Sequence, residues 1–209
     1  MGSRIGILGG TFDPVHIGHI ILAQDAMERF RLDRVLFIPS FRPPHKLSRR
    51  LTAAAHRLAM LKAALEPYDL FALSTMEIDR GGISFTIDTV RELRRRFPKD
   101  RFFFIIGADT LWELHSWKDI DDLMGLCRFV SAARPGFELS GLTSVGLGLA
   151  NPWPARLKAS IFTGHLVEIS SSEIRRRVAR GLSIRYLVPQ PVERYIFKES
   201  LYKTQKRSS

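Results

Sequence analysis

Short continuous apolar runs alternate with stretches of helical spacing along most of the chain. Arg4–Leu8 reads as a strand, and His16–Phe30 puts Ile20, Ala23, Met27 and Phe30 at helical spacing. Val35–Ile38 predicts a second strand, closed by Pro39 and a loop over Ser40–Ser48 that contains Pro43-Pro44. Thr52–Leu65 predicts a helix with Leu58, Leu61 and Leu65 on one side and Pro67 just beyond its end. Further strands are expected at Phe71–Ser74, Phe102–Ile106 and Phe129–Ala132. The second of these is fully apolar and so belongs at the centre of a sheet covered on both faces. Thr86–Phe97 is a helix, with two short helical patterns around Thr110–Leu114 and Ile120–Leu126. Strands alternating with helices over short links describe an α/β fold, doubly wound around a parallel sheet.

The pattern lapses over Gly136–Ser160. That stretch is rich in Gly, Ser and Leu, ends in Asn151-Pro152-Trp153-Pro154, and reads as a surface loop or subunit contact. Beyond it a strand over His165–Ile169, a helix from Ser171 to about Arg180 and a last helix from about Val192 to Tyr202 form a small C-terminal helical extension. No internal repeat or linker divides the chain.

The 209 residues are 45% hydrophobic and 25% charged, an ordinary globular balance. No apolar run approaches the roughly 18 residues of a membrane span, and no signal peptide precedes the first strand, so no membrane partner is expected. Cys127 is the single cysteine and lies in an apolar stretch. It reads as a core residue in a reduced, cytoplasmic setting. The net charge of +11 favours anionic partners without choosing among them. Arg94-Arg95-Arg96, one of the basic runs, reads as the solvated end of a helix.

The first strand-to-helix turn carries the most chemistry. Gly9-Gly10 lets the backbone approach a phosphate closely, and His16 and His19 project from one face at the positive end of a helix dipole. Gly18 removes a side chain that would block the approach. A metal site there lacks a third ligand nearby and opposes the dipole, so no protein metal ligands are expected. The turn is neither a GxxxxGK[ST] loop nor a GxGxxG fingerprint. Gly146-Leu147-Gly148 lacks both the third glycine and the strand–helix context. Lys46 sits on a loop stiffened by two prolines, as a solvated lysine or a point charge for a phosphate. Thr86 can cap its helix with Thr89 one turn in, Asp109 can cap the helix after Gly107, and Trp117 suits a core or rim. Ser170 and Glu173 have capping-box spacing, which leaves Ser171, Ser172 and Arg175 at a second anion-attracting helix start.

The string Gly9-Gly10-Thr11-Phe12-Asp13-Pro14-Val15-His16-Ile17-Gly18-His19 resembles the signature of the HxGH nucleotidylyltransferases. Four further segments are similar to the bacterial nicotinate-nucleotide adenylyltransferases within that superfamily. They are Arg42–Lys46, Ser84–Thr89, Gly107–Leu111 with Trp117, and Ile169–Arg175. Val15 stands where that family more often has proline, and Gly136–Ser160 has no counterpart. The resemblance implies a Rossmann-like fold in one nucleotidylyltransferase domain over residues 1–209, with the helical part from about 170. It implies adenylyl transfer from ATP, with Mg2+, to nicotinate mononucleotide, giving deamido-NAD and pyrophosphate. Nicotinamide mononucleotide or phosphopantetheine are the alternative acceptors.

By the same resemblance His16, His19, Lys46 and Arg175 carry the reaction. ATP lies against Gly9, Gly10, Thr11, Phe12, Gly18, Gly107, Asp109, Arg134, Ser171 and Ser172, and the acceptor against Thr11, His45, Thr86, Thr89 and Trp117. A basic nucleic-acid-binding module is disfavoured, because aromatics such as Phe102-Phe103-Phe104 cluster in apolar strands rather than among surface Lys and Arg. Homo-oligomerisation is left open.

Overall fold

A computed structural model describes residues 2–44, 51–133 and 140–203. Six strands form one all-parallel sheet: β1 (Arg4–Gly10), β2 (Arg34–Pro39), β3 (Phe71–Leu73), β4 (Arg101–Gly107), β5 (Arg128–Ala133) and β6 (Ile161–Thr163). Their order is β3-β2-β1-β4-β5-β6, the doubly wound Rossmann order. The winding reverses between β1 and β4. The carboxyl ends of those two strands therefore open into a crevice with helix N-termini around it.

Side chains alternate across the sheet with period two. Phe103 and Ile105 of β4 join Leu8, Val35 and Phe37 on one face. That face is covered by α1 (Ile17–Phe30) through Ile20, Ala23 and Ala26, and by α2 (Ala54–Leu65) through Met60, Leu61 and Ala64. Phe102, Phe104 and Ile106 point to the other face with Ile5, Ile7 and Phe129. There they meet the short α3 (Met76–Arg80), α4 (Thr86–Arg96) through Ile87, Val90 and Leu93, the 3-10 segment Ala108–Ser116, and α5 (Ile120–Leu126). Both faces are covered, which is why the central strand is apolar throughout.

Residues 142–158 are not a surface loop. They hold α6 (Ser144–Leu147) and α7 (Trp153–Lys158), and Leu142, Leu147, Leu149 and Leu157 are all buried against the second face. Helices of fewer than two turns leave no readable period, which is why the stretch reads as a surface loop or subunit contact. The last strand also lies earlier than expected, at Ile161–Thr163 rather than His165–Ile169. Ser131 N–H donates to Ser160 O, which starts the pairing, whereas Asp25 takes both the N–H and Nδ1 of His165 and draws the chain off the sheet. α8 (Ser171–Ala179) and α9 (Gln190–Lys198) complete the first face through Ile174, Val178, Val192 and Ile196, the latter helix ending sooner than Tyr202. α2 likewise begins at Ala54, two residues after the expected start at Thr52.

Leu147→Ala is expected to lower unfolding free energy by about 2–5 kcal/mol, the cost of a buried leucine cavity. Urea denaturation reads this directly, and unchanged stability would return the segment to the surface.

Candidate active site

β1 ends at Gly10, paired in register with Pro39 of β2. The chain then turns through Phe12, which is 1% exposed and has a left-handed φ of 48°. Such a backbone costs a non-glycine residue about 1–2 kcal/mol. Full burial of a phenylalanine ring offsets this by about 1.5–3 kcal/mol. The ring lies where a side chain on Gly10 would start: a Cβ there would meet Phe12 Cζ at 3.3 Å. Gly10 is thus glycine because Phe12 packs beneath the turn, and Phe12 supports the site rather than lining it.

His16 is the N-cap residue of α1, and its imidazole sits 3.6 Å, centroid to centroid, from that of His19. The His16 backbone N–H donates to His19 Nδ1 at 3.1 Å, so in the neutral ring Nε2 of His19 carries the proton. Burial pushes the His16 pKa down to about 4, and its Nδ1 has no hydrogen-bond partner among the described residues. His16 is therefore a neutral polar group at pH 7. Gly18 lies against the His16 ring. A Cβ there would meet His16 Nδ1 at 3.1 Å and Val167 Cγ1 at 3.4 Å, so the missing side chain makes room for the His16 ring.

The N-terminus of α8 faces this turn. Ser170 Oγ accepts the Glu173 N–H at 3.1 Å, as its spacing foretold. Ser171 Oγ donates to Pro14 O at 2.8 Å, and Arg175 donates to Asp13 O and, at 3.2 Å, to Ser172 Oγ. A cavity of about 320 Å³ lies between the two helix starts, lined by Gly10, Thr11, His16, His19, Ser170, Ser171, Ser172 and Arg175. Two helix N-termini with hydroxyls and a guanidinium form an anion cradle.

Two residues to which no sequence motif gave a role hold the cradle together. Arg57, 1% exposed, donates to the carbonyls of Thr11 (2.8 Å), Ser40 (2.7 Å), Phe41 (3.1 Å) and Thr52 (3.0 Å). Tyr202 donates to the buried Asp13 Oδ1 at 2.8 Å, and burial, with the Asp13 charge, raises its phenol pKa. Arg57 had left a trace: it sits on the buried stripe of α2 with Met60, Leu61, Ala64 and Leu65, where an arginine is out of place.

A larger cavity of about 630 Å³ shares Gly10, Thr11 and His19 with the first. It continues along Gly9, Ser40, Pro43, Pro44, Ser84, Thr86, Phe104, Gly107, Trp117 and Lys118. Trp117 is fixed by edge contacts with Phe104 (5.8 Å) and Phe129 (6.0 Å). Thr86 lines the cavity, but it is not the helix cap: Phe85 holds that position, without a side-chain hydrogen bond. Thr89 is buried behind the wall, donating to Glu77 Oε1 at 2.6 Å and accepting from Arg80 at 2.8 Å. Glu77 itself lines the cavity, its pKa raised by burial against the opposing effect of hydrogen bonds from Thr89 and Ser84. No sequence motif marked it. Asp109 is exposed and lines neither cavity, and Gly107 rather than Asp109 occupies the N-cap of its segment. His45, Lys46 and Arg134 lie outside the described residues.

Among the described residues, no three His, Cys, Asp or Glu side chains are grouped to hold a metal, and no helix is long and apolar enough to cross a membrane. Cys127 is buried with its thiol pushed up to about 12.

Comparison with known proteins extends this picture. Residues 7–177 match the family described as cytidylyltransferase-like. A protein of Desulfitobacterium hafniense named "Probable nicotinate-nucleotide adenylyltransferase" is 42% identical over 203 residues, covering 96% of each chain. One of Exiguobacterium sibiricum with the same name is 45% identical over 201 residues, covering 96% of this chain and all of the other. The structure of Plasmodium falciparum nicotinic acid mononucleotide adenylyltransferase complexed with NaAD superposes with a TM-score of 0.74. Its identity is 20%, with coverage of 96% of this chain and 97% of that one, a likeness of fold.

The buried His16 makes stability depend on pH. Below the ordinary histidine value of 6.5 the unfolded chain takes up a proton that the folded chain refuses until about pH 4. Unfolding free energy is expected to fall across that window by up to about 3 kcal/mol. His16→Gln should lose that part of the slope in urea denaturation measured across the window.

Proposed function

The chain belongs to the cytidylyltransferase-like family and, within it, to the nicotinate-nucleotide adenylyltransferases; on that premise we propose how its two cavities divide the work. The enzyme transfers the adenylyl group of ATP to nicotinate mononucleotide in NAD biosynthesis, releasing pyrophosphate. The observation that carries the assignment is that His19, with Gly10 and Thr11, lines both cavities. The phosphorus that changes partners belongs at that shared wall.

The smaller cavity receives the β and γ phosphates of ATP at Ser171, Ser172 and Arg175. The larger receives the acceptor, with Thr86 at the open N-terminus of α4 and the pyridine ring beside Trp117, a rigid aromatic face. Adenosine is assigned to the Gly107 side, with Asp109 and Arg134 as its outer contacts. His45 and Lys46, which follow β2 in the sequence, are assigned to closing over the triphosphate. Thr89 acts from behind, by holding Glu77 and Arg80.

The acceptor's phosphate is already nucleophilic at neutral pH. One of its oxygens forms a bond to the α-phosphorus while the bond to pyrophosphate breaks in line, and no enzyme nucleophile is needed. The task left to the protein is to hold two polyanions together and stabilise charge on the α-phosphate oxygens and the leaving group. Neutral His16 and, beside it, His19 suit that role as polar side chains oriented at a positive helix end. Mg2+ fits this donor set as a passenger on ATP: the cradle offers N–H, O–H and guanidinium groups, and its carboxylate, Asp13, is engaged by Tyr202 and by the Thr52 N–H. Bound to the phosphates, the ion would neutralise part of their charge. A cytoplasmic location accords with this role.

His19→Ala should fold normally yet lose about 10²–10³ of turnover, read by pyrophosphate release with ATP and nicotinate mononucleotide. A folded variant with near-normal release would overturn the assignment. Parallel assays with nicotinamide mononucleotide and phosphopantetheine should give much slower release. Chelation of Mg2+ should stop turnover and leave the thermal midpoint of the ligand-free protein unchanged, whereas a lowered midpoint would indicate a resident structural ion.

A further inference from the structure

At the opposite end of the sheet, three neighbouring strands each begin with an arginine: Arg4 in β1, Arg101 in β4 and Arg128 in β5. Arg4 and Arg101 are direct register partners, and Arg128 stands beside Phe103, two residues along β4. Arg94 from α4 and Arg156 from α7 join them around a cleft of about 530 Å³. Its floor is apolar, with Phe102, Phe129, Leu126 and Trp153 among the lining residues. No Asp or Glu lines it.

None of the five forms an ion pair among the described residues. Their hydrogen bonds go to neutral acceptors: Arg4 to Phe30 O, Arg94 to Asp100 O, Arg128 to Ser160 Oγ and Ala159 O. Arg4, Arg128 and Arg156 also lie over the rings of Phe103, Phe30 and Trp153, at 4.9, 5.4 and 4.9 Å. The nearby carboxylates of Asp33 and Asp100 are turned to the N–H groups of Arg4 and Ser3. Three helix C-termini, those of α4, α5 and α7, end at this cleft. Each contributes roughly half a negative charge, which leaves most of five positive charges unbalanced. Arg94, expected at a solvated helix end, is part of this wall.

The chemistry at the carboxyl end of the sheet lies a strand's length away, roughly 20 Å, and has no use for these groups. Like charges gathered around one concavity destabilise a fold unless an anion sits among them. The cleft has the size of a small-molecule pocket, and guanidinium forks match phosphate oxygens. We propose that this cleft is a second anion site, which binds the di- or triphosphate group of a small molecule independently of the catalytic cavities.

The test is calorimetric titration with ATP, and separately with inorganic tripolyphosphate, at physiological ionic strength. Wild type is compared with Arg101→Glu/Arg156→Glu, whose two sites are exposed and lie outside the catalytic machinery. Wild type should take up one more equivalent than the variant, which keeps its remaining ATP equivalent and its turnover. The single variants Arg101→Ala and Arg156→Ala should each weaken the extra binding about tenfold. They also serve if the charge reversals do not fold. An extra equivalent with both compounds marks a site that reads phosphate alone, and one with ATP only adds the nucleoside on the apolar floor; either supports the proposal. Equal stoichiometry in wild type and variant with both compounds overturns it.

Discussion

The Arg57 guanidinium is the constraint on which the geometry of the catalytic end depends. A buried cation is expensive unless its donors are satisfied, and here four backbone carbonyls take them. Those carbonyls come from the β1 turn, from the end of β2 and from the approach to α2. One side chain thus ties the loops of two adjacent strands at a fixed spacing. Removing it would leave four carbonyl oxygens and a cavity in the core, so the loops would be free to part. The catalytic crevice is where the winding of the sheet reverses. Arg57 keeps it from widening at the β1–β2 side.

The α1 and α8 starts gain their relation from a second set of ties. Ser171 and Arg175 bind the carbonyls of Pro14 and Asp13, so the two positive helix ends are cross-braced by side chains that also face the cavity. Such a brace fixes the donors before the ligand arrives, which is what makes preorganised groups effective. The two adjacent imidazoles belong to the same arrangement. Gly18 admits the His16 ring, and the His16 N–H orients His19, the residue at the wall common to both cavities.

How much of this could be read in the sequence follows from whether a feature is local. The β1 turn and the α8 start were legible because helix-start signals and glycine turns act over a few residues. The apolar run Phe102–Ile106 gave the sheet centre for the same reason. Arg57 and Tyr202 were not identified, because they act through partners up to 46 and 189 positions away, and Glu77 because its partners Ser84 and Thr89 form no compact motif with it. The strand misplaced at His165–Ile169 shows the limit of alternation as a signal, since Asp25, 140 positions earlier, decides where that segment goes. Leu142, Leu147 and Leu157 were hidden by helices too short to show a period.

The bond from Tyr202 to Asp13 joins residues 189 positions apart. Closing a loop of that length is entropically costly, and contacts of such separation form after the local ones that make them affordable. The anion cradle contains the first turn of the chain, yet it cannot be complete until nearly the last described residue has docked. The cradle at the start of the chain is thus braced by residues from its far end, so its geometry depends on the docking of the C-terminal segment as well as on the sheet behind it.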